Sequence, residues 1–350
     1  MKSLAVLLSR ISGRLRRLVI HKIGIGNSKV TYLNLGETRT TLSFSKLDSY
    51  SKSMQIEVFH PRDKVIEGHS YQARYLYSVE DVYLDLVTGI ATSSKGAILA
   101  ESSSWPESHL LLNALPRPPV FTSMFDAAED QTIIAMPSNG FYHWFIEDLA
   151  PFIFAYKNTC NPIVLVYDKC PKYVASFLAA FKIKIQLCPR FMHLKNYTFT
   201  SKGQDTGWPH PKDIEVIRTF FSGSIKPLVK NKKIYISRLS SSRSPKFELE
   251  LQETLANNGW LILETEKMSL IDQALILSQA QILCGVHGAG LSGMTWMKSG
   301  SMVIELGPSR FVPCFSRMSQ ICGHEYLRIE FNEDAINIPA EVTLQMALFI

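Results

Sequence analysis

The sequence predicts an α/β protein with two Rossmann-like lobes and a β-rich N-terminal region, and three observations carry that expectation. From about residue 130 onward, short apolar runs of strand length alternate with longer amphipathic runs of helix length. The rhythm breaks once, over residues 203–211, and near the end of the chain a strand runs directly into the glycine turn "VHGAGLSG". Alternating strands and helices imply a parallel sheet with helices on its faces. A chain of 350 residues is long enough for two such cores.

Each element follows from local pattern. Residues 1–26 place Leu4, Leu7, Leu8, Ile11, Leu15, Leu18 and Val19 at helical spacing with Arg10, Arg14, Arg16 and Arg17 between them, a basic amphipathic helix. Peripheral contact with a membrane surface and docking against the fold suit that pattern equally. An N-terminal domain is expected over 27–210. Its residues 30–104 are rich in Ser, Thr, Tyr and Val and carry short alternating runs such as "MQIEVF" and "VYLDLVTG", which read as strands of an antiparallel sheet. Its α/β part, 130–200, reads as strand "QTIIAMPS", helix "FYHWFIEDLAPFIFAYK", strand "PIVLVYD", helix "PKYVASFLAAF" and strand "KIKIQLC". A C-terminal domain over 211–350 alternates again, from helix "KDIEVIRTFFSG" and strand "KKIYIS" to "QILCGV", the glycine turn with a short helix, "SMVIEL", a helix near 313–322, strand "YLRIEF" and a terminal helix from about Pro339.

Composition excludes several classes. With 46% hydrophobic and 19% charged residues the chain is globular. A net charge of +6, with the lysines and arginines spread along the chain apart from one N-terminal cluster, favours an anionic ligand or a membrane surface over a nucleic-acid groove. No stretch approaches the roughly 20 apolar residues of a spanning helix. Six cysteines without CxxC spacing suit a reducing compartment. The expected location is the cytoplasm, at most peripheral on the inner face of the membrane.

The glycine turn has three readings. "GAGLSG" satisfies the dinucleotide pattern, but no acidic residue stands about 20 positions on at a clear strand end, Glu305 being the nearest. "HGAG" resembles an esterase oxyanion turn, yet the chain has no G-x-S-x-G elbow. The bland reading is a tight turn that needs glycine for positive φ. What the turn supplies in any ligand reading is backbone amides and the positive end of a helix dipole, which suit a diphosphate.

The stretch "KIYISR", an acidic helix, and "LSQAQILCGVHGAGLSGMTWMKSGSMVIELGP" together resemble the C-terminal half of glycosyltransferase family 61. "NGFYHWFIEDLAPF", about 140 residues earlier, resembles that family's Tyr-His-Trp…Asp…Pro helix. The resemblance covers about Tyr71 to Phe331. It implies a GT-B fold and an inverting enzyme that moves a sugar from a nucleotide-sugar donor, expected to be UDP-linked, to a glycan or lipid-linked saccharide in cell-surface polysaccharide synthesis. The alternative is a relative that binds glycan or nucleotide without turnover.

Inverting transfer needs a diphosphate site, stabilisation of the leaving charge and a base. On the donor side the candidates are the amides of Gly288, Ala289 and Gly290, a hydrogen bond from His287, the planar fork of Arg238, and Glu305 as acceptor from ribose hydroxyls. For the base, Glu147 lies four residues after His143 on one helix face, with Asp148 about 100° away. The family usually has Asp at that position and this chain has Glu, so His143, Glu147 and Asp148 all stay candidates. The chain has no D-x-D triplet, and neither a metal nor a cofactor is expected beyond the nucleotide-sugar co-substrate.

Overall fold

The computed structural model describes residues 32–33, 55–58, 66–70, 74–93, 98–104, 124–202, 206–224, 232–241, 243–308, 310–332, 334–346 and 349. The basic helix expected over 1–26, with its membrane contact, lies outside the described residues, as does much of 30–104. Among the described residues no helix is long and apolar enough to cross a membrane. The protein is α/β, and its chain divides into two compact units, Met1–Lys52 with Gln72–Thr206 and Ser53–Tyr71 with Gly207–Ile350.

The first unit holds two sheets. Six strands, β1 (Tyr32–Leu33), β4 (Leu76–Asp85), β5 (Ala91–Ser93), β6 (Ile98–Leu99), β7 (Met124–Phe125) and β11 (Phe191–Thr200), lie in the order β1-β6-β5-β4-β11-β7. A parallel sheet in the order β10-β9-β8 is made by β8 (Thr132–Met136), β9 (Pro162–Tyr167) and β10 (Ile185–Cys188). Helix α1 (Leu149–Asn158) and helix α2 (Lys172–Ala180) make its crossovers. One apolar cluster joins Tyr77, Leu84, Ile133, Leu165, Leu194 and Tyr197, and so seals the two sheets together.

The β8-to-β10 alternation was legible in the sequence, and β11 was not. β11 pairs antiparallel with β4 from Phe191↔Asp85 to Thr200↔Leu76. Its first half alternates, Met192 and Leu194 buried and His193 and Lys195 less so, but Tyr197 to Thr200 are all buried. A strand covered on both faces at one end loses the period of two that marks a half-buried strand.

The second unit is built on five parallel strands, β12 (Lys232–Ile236), β13 (Leu261–Leu263), β14 (Ala280–Val286), β15 (Met302–Gly307) and β16 (Glu325–Glu330), in the order β13-β12-β14-β15-β16. The hairpin of β2 (Gln55–Val58) and β3 (Ile66–Ser70) groups with this unit. Its helices are α3 (Pro211–Phe221), α4 (Glu248–Asn257), α5 (Leu270–Leu277), α6 (Cys314–Cys322) and α7 (Ala340–Met346). Local chemistry sets their ends. The ring of His210 accepts from the Lys212 amide ahead of Pro211 at the start of α3, and the Ser269 hydroxyl accepts from the Asp272 amide at the start of α5.

Counted along the chain, that strand order is 2-1-3-4-5, so the connections diverge at the β12–β14 gap, the topological switch point of a doubly wound sheet. The sheet's two faces differ in chemistry. Tyr235, Cys284, Val286, Ile304, Leu306 and Ile329 pack with Phe247, Leu251 and Leu255 of the α4 region and Val342 and Met346 of α7. The alternate positions put Ile236, Gly285, Glu305 and Arg328 side by side in register on the other face. The polar groups are thus gathered on one face, toward the carboxyl ends of the strands.

α6 stops at Gly323, whose φ of +70° is left-handed and whose missing Cβ would lie 2.4 Å from Ser299 Oγ. Gly323→Ala therefore combines left-handed strain with a clash. It is expected to lower stability by about 1–2 kcal/mol or more, read as a lower urea midpoint at unchanged slope.

Candidate functional site

The second unit's candidate site forms where β12 and β14 end. Arg238 follows β12 by two residues, and His287 to Gly290 follow β14. The glycines here answer to close approach, not to positive φ. Gly288 is extended, at φ 172°, and a Cβ there would stand 2.2 Å from Arg238 Nη1; one on Gly290 would stand 2.7 Å from Ile236 Cγ2. The reading of a turn needing left-handed glycine is corrected accordingly. The segment after the turn, Ala289–Trp296, is a 3₁₀ helix. Its first amides have no intrahelical acceptor, and the Leu291 amide already returns to the Gly288 carbonyl at 3.0 Å.

Arg238 is 9% exposed. Its Nη1 donates to the His287 carbonyl, its Nη2 donates to Ser241 Oγ at 3.0 Å, and its backbone amide donates to Glu248 Oε1 at 2.7 Å. Glu248, 1% exposed, also accepts from Gln252 Nε2 and the Tyr235 hydroxyl, both at 2.8 Å. Burial, with Arg243 nearby, lowers the Arg238 pKa from its ordinary value. Sequence reading missed Glu248, because a glutamate in the first turn of an acidic helix looks like a solvated one.

His287 Nδ1 lies 2.6 Å from Glu305 Oε1, and Glu305 Oε2 accepts from the Tyr326 hydroxyl. Burial and Glu305 push the Tyr326 phenol well above its ordinary pKa, so it stays a donor. Glu305, expected to take ribose hydroxyls, is 1% exposed with both oxygens engaged; here it orients His287. The Phe315 ring stands edge-on to the imidazole at 5.2 Å. An ionised carboxylate only accepts, so Nδ1 carries the proton, and the side chain stays 26% accessible.

The first unit repeats this arrangement. His143–Asp148 forms a π-helical turn that runs into α1, with the Leu149 amide bonding the Trp144 carbonyl five residues back. Pro151 has no amide to give to a carbonyl four residues before it, and the widened turn precedes it directly. His143 Nδ1 lies 2.9 Å from Glu147 Oε2. Glu147, 1% exposed, also accepts from the Thr206 hydroxyl at 3.0 and 3.2 Å and from Ser104 Oγ at 3.4 Å. The His143 side chain keeps 30% of its surface accessible.

Of the three carboxylate-or-imidazole candidates, the structure brings His143 and Glu147 together and turns Asp148 elsewhere. Asp148 is 2% exposed and forms an ion pair with Lys202 at 2.6 Å, with Asn139 Nδ2 at 3.4 Å. Burial raises its pKa, and Lys202 partly opposes that shift. Thr206, Ser104 and Lys202 are functional neighbours that no sequence pattern announces, since they meet the helix from 43 to 59 positions away. Among the described residues no group of three or more His, Cys, Asp or Glu side chains converges as a metal site would.

Comparison with known families adds one finding. Residues 141–304 match the model of the family described as glycosyltransferase 61, which bears out the resemblance read from the two motifs and implies glycosyltransferase activity. The match begins two residues before His143 and ends one residue before Glu305. Comparison with curated proteins gives no match.

The geometry predicts an uncommon tautomer at both imidazoles. Long-range ¹H–¹⁵N spectra of the neutral rings should show Nδ1 protonated and Nε2 bare for His143 and His287, and Glu147→Gln should abolish that signature at His143 alone. Nε2–H as the dominant form in the wild type would contradict the assigned hydrogen bonds.

Proposed function

We propose, from the premise that residues 141–304 carry a glycosyltransferase 61 sequence, that this protein is an inverting glycosyltransferase of the GT-B type, with the second unit holding the nucleotide-sugar donor and His143 of the first acting as base. The observation that carries the assignment is the His143–Glu147 pair. A buried carboxylate fixes Nδ1 of a side chain that is 30% accessible, and the reading assigns the proton transfer to Nε2.

The proposed reaction is a single displacement. His143 Nε2 removes the proton from an acceptor hydroxyl as its oxygen bonds to the anomeric carbon of the sugar. The bond from that carbon to the diphosphate breaks with inversion, and the electron pair leaves on the phosphate oxygen. Glu147 holds the ring in place and stabilises the imidazolium that forms. On the donor side the reading assigns the leaving charge to Arg238 and the amides opening the 3₁₀ helix, with no divalent cation required. UDP is the expected carrier, and a glycan or glycolipid the expected acceptor, on the family resemblance.

Kinetics separate the roles. His143→Ala should lower kcat by about 10²–10⁴-fold and leave the Kd of the nucleoside diphosphate unchanged. Glu147→Gln should lower kcat by a smaller factor. Tight nucleotide binding with no transfer from any nucleotide sugar in the wild type would instead favour a binding protein without turnover.

Arg238→Ala should weaken nucleoside diphosphate binding by about 1.5–3 kcal/mol, the worth of a charge-assisted hydrogen bond. Transfer should continue undiminished in EDTA. Arg238→Ala binding as tightly as the wild type would remove Arg238 from the donor site.

A further inference from the structure

Arg328 lies in β16 on the polar face of the second unit's sheet, and nothing above gives it a task. Its side chain is 4% exposed. Nη1 reaches outward to Glu330, which is 56% exposed, Nη2 donates to the Pro308 carbonyl, and the Phe311 ring covers the guanidinium at 5.1 Å. Its neighbour in register, Glu305, gives both oxygens to His287 and Tyr326 and none to Arg328. Nε is buried and has no hydrogen-bond partner among the described residues. A buried donor left unmade costs about 1–3 kcal/mol, so something in its working cycle is expected to fill it.

Gly307, the last residue of β15, lies against the Nε–Nη2 side of the guanidinium. A Cβ on Gly307 would stand 3.6 Å from Arg328 Nη2, 3.8 Å from Nε and 3.7 Å from His287 Cβ. The Nε–Nη2 side of the guanidinium therefore faces a notch that opens only because residue 307 has no side chain, and His287 forms the notch's other wall. That side of an arginine is a planar two-donor fork matched to a phosphate or carboxylate.

We infer that Arg328 is a donor-recognition residue, its Nε–Nη2 edge taking an anionic oxygen of the nucleotide sugar in the notch above Gly307. The inference rests on the reading of the second unit as the donor site. The oxygen comes either from the diphosphate or from a carboxylate on the transferred sugar, and the two sources are separable by titration.

Binding is measured calorimetrically for the wild type, Arg328→Gln and Gly307→Ala, using UDP, GDP and ADP, the matching monophosphates, and a nucleotide sugar bearing a uronate. Gly307→Ala meets only ordinary van der Waals contacts, so it keeps the fold and fills the notch; it decides the matter alone if Arg328→Gln does not fold. The expected result is a loss of about tenfold or more in both variants for the diphosphate that the wild type binds best. Loss for the diphosphate but not the monophosphate assigns the notch to the second phosphate, and loss confined to the uronate donor assigns it to a carboxylate. Unchanged affinities for every ligand, with only a lowered Tm, would show that a structural water fills Nε and overturn the inference while leaving the donor site standing. A wild type that binds none of these nucleotides would remove the donor site itself, and this inference with it.

Discussion

A carboxylate can stay buried only if its oxygens are met by donors, and this constraint organises both halves of the molecule. Glu147, Glu248 and Glu305 are each 1% exposed. Glu147 collects His143, Thr206 and Ser104; Glu248 collects the Arg238 amide, Gln252 and Tyr235; Glu305 collects His287 and Tyr326. Each glutamate thereby immobilises a group that a transfer reaction can use. His143 and His287 are held at Nδ1, and Arg238 at its backbone amide, by these buried acids.

The two imidazoles show what such support does chemically. Each is held through Nδ1 and each keeps roughly a quarter to a third of its side-chain surface accessible. Removing the free choice of tautomer and ring angle gives each imidazole a directed nitrogen. The backbone around each His is irregular in its own way. One opens a turn whose glycines admit a guanidinium and a strand side chain, and the other opens a π-helical turn ahead of a proline.

In the second unit the sheet does the sorting. Because side chains alternate along each strand, in-register parallel strands place one alternating set of positions on one face of the sheet and the other set on the opposite face. Leu306 and Ile329 go to the apolar core while Glu305 and Arg328, one residue away, go to the polar face. The strand order 2-1-3-4-5 then opens the β12–β14 gap beneath Arg238 and His287, where ligands of doubly wound sheets lie. Most of these strands and helices were legible from apolar period, whereas β11 escaped because its buried end does not alternate.

The sequence by itself determined the α/β class, the strands and helices of residues 211–350, the family resemblance and the placing of His143 and Glu147 on one helix face, because each of these is carried by local runs of residues. Only the tertiary structure decided that Asp148 belongs to Lys202, that Glu305 serves His287, that Glu248 stands behind Arg238, and that Arg328 faces a notch at Gly307. The physical reason is range. Helical and strand periods are set by neighbours along the chain, but the partner that satisfies a buried charge is chosen by which strands lie side by side, and an isolated glutamate, threonine or arginine in the sequence looks the same whether water or another side chain will meet it.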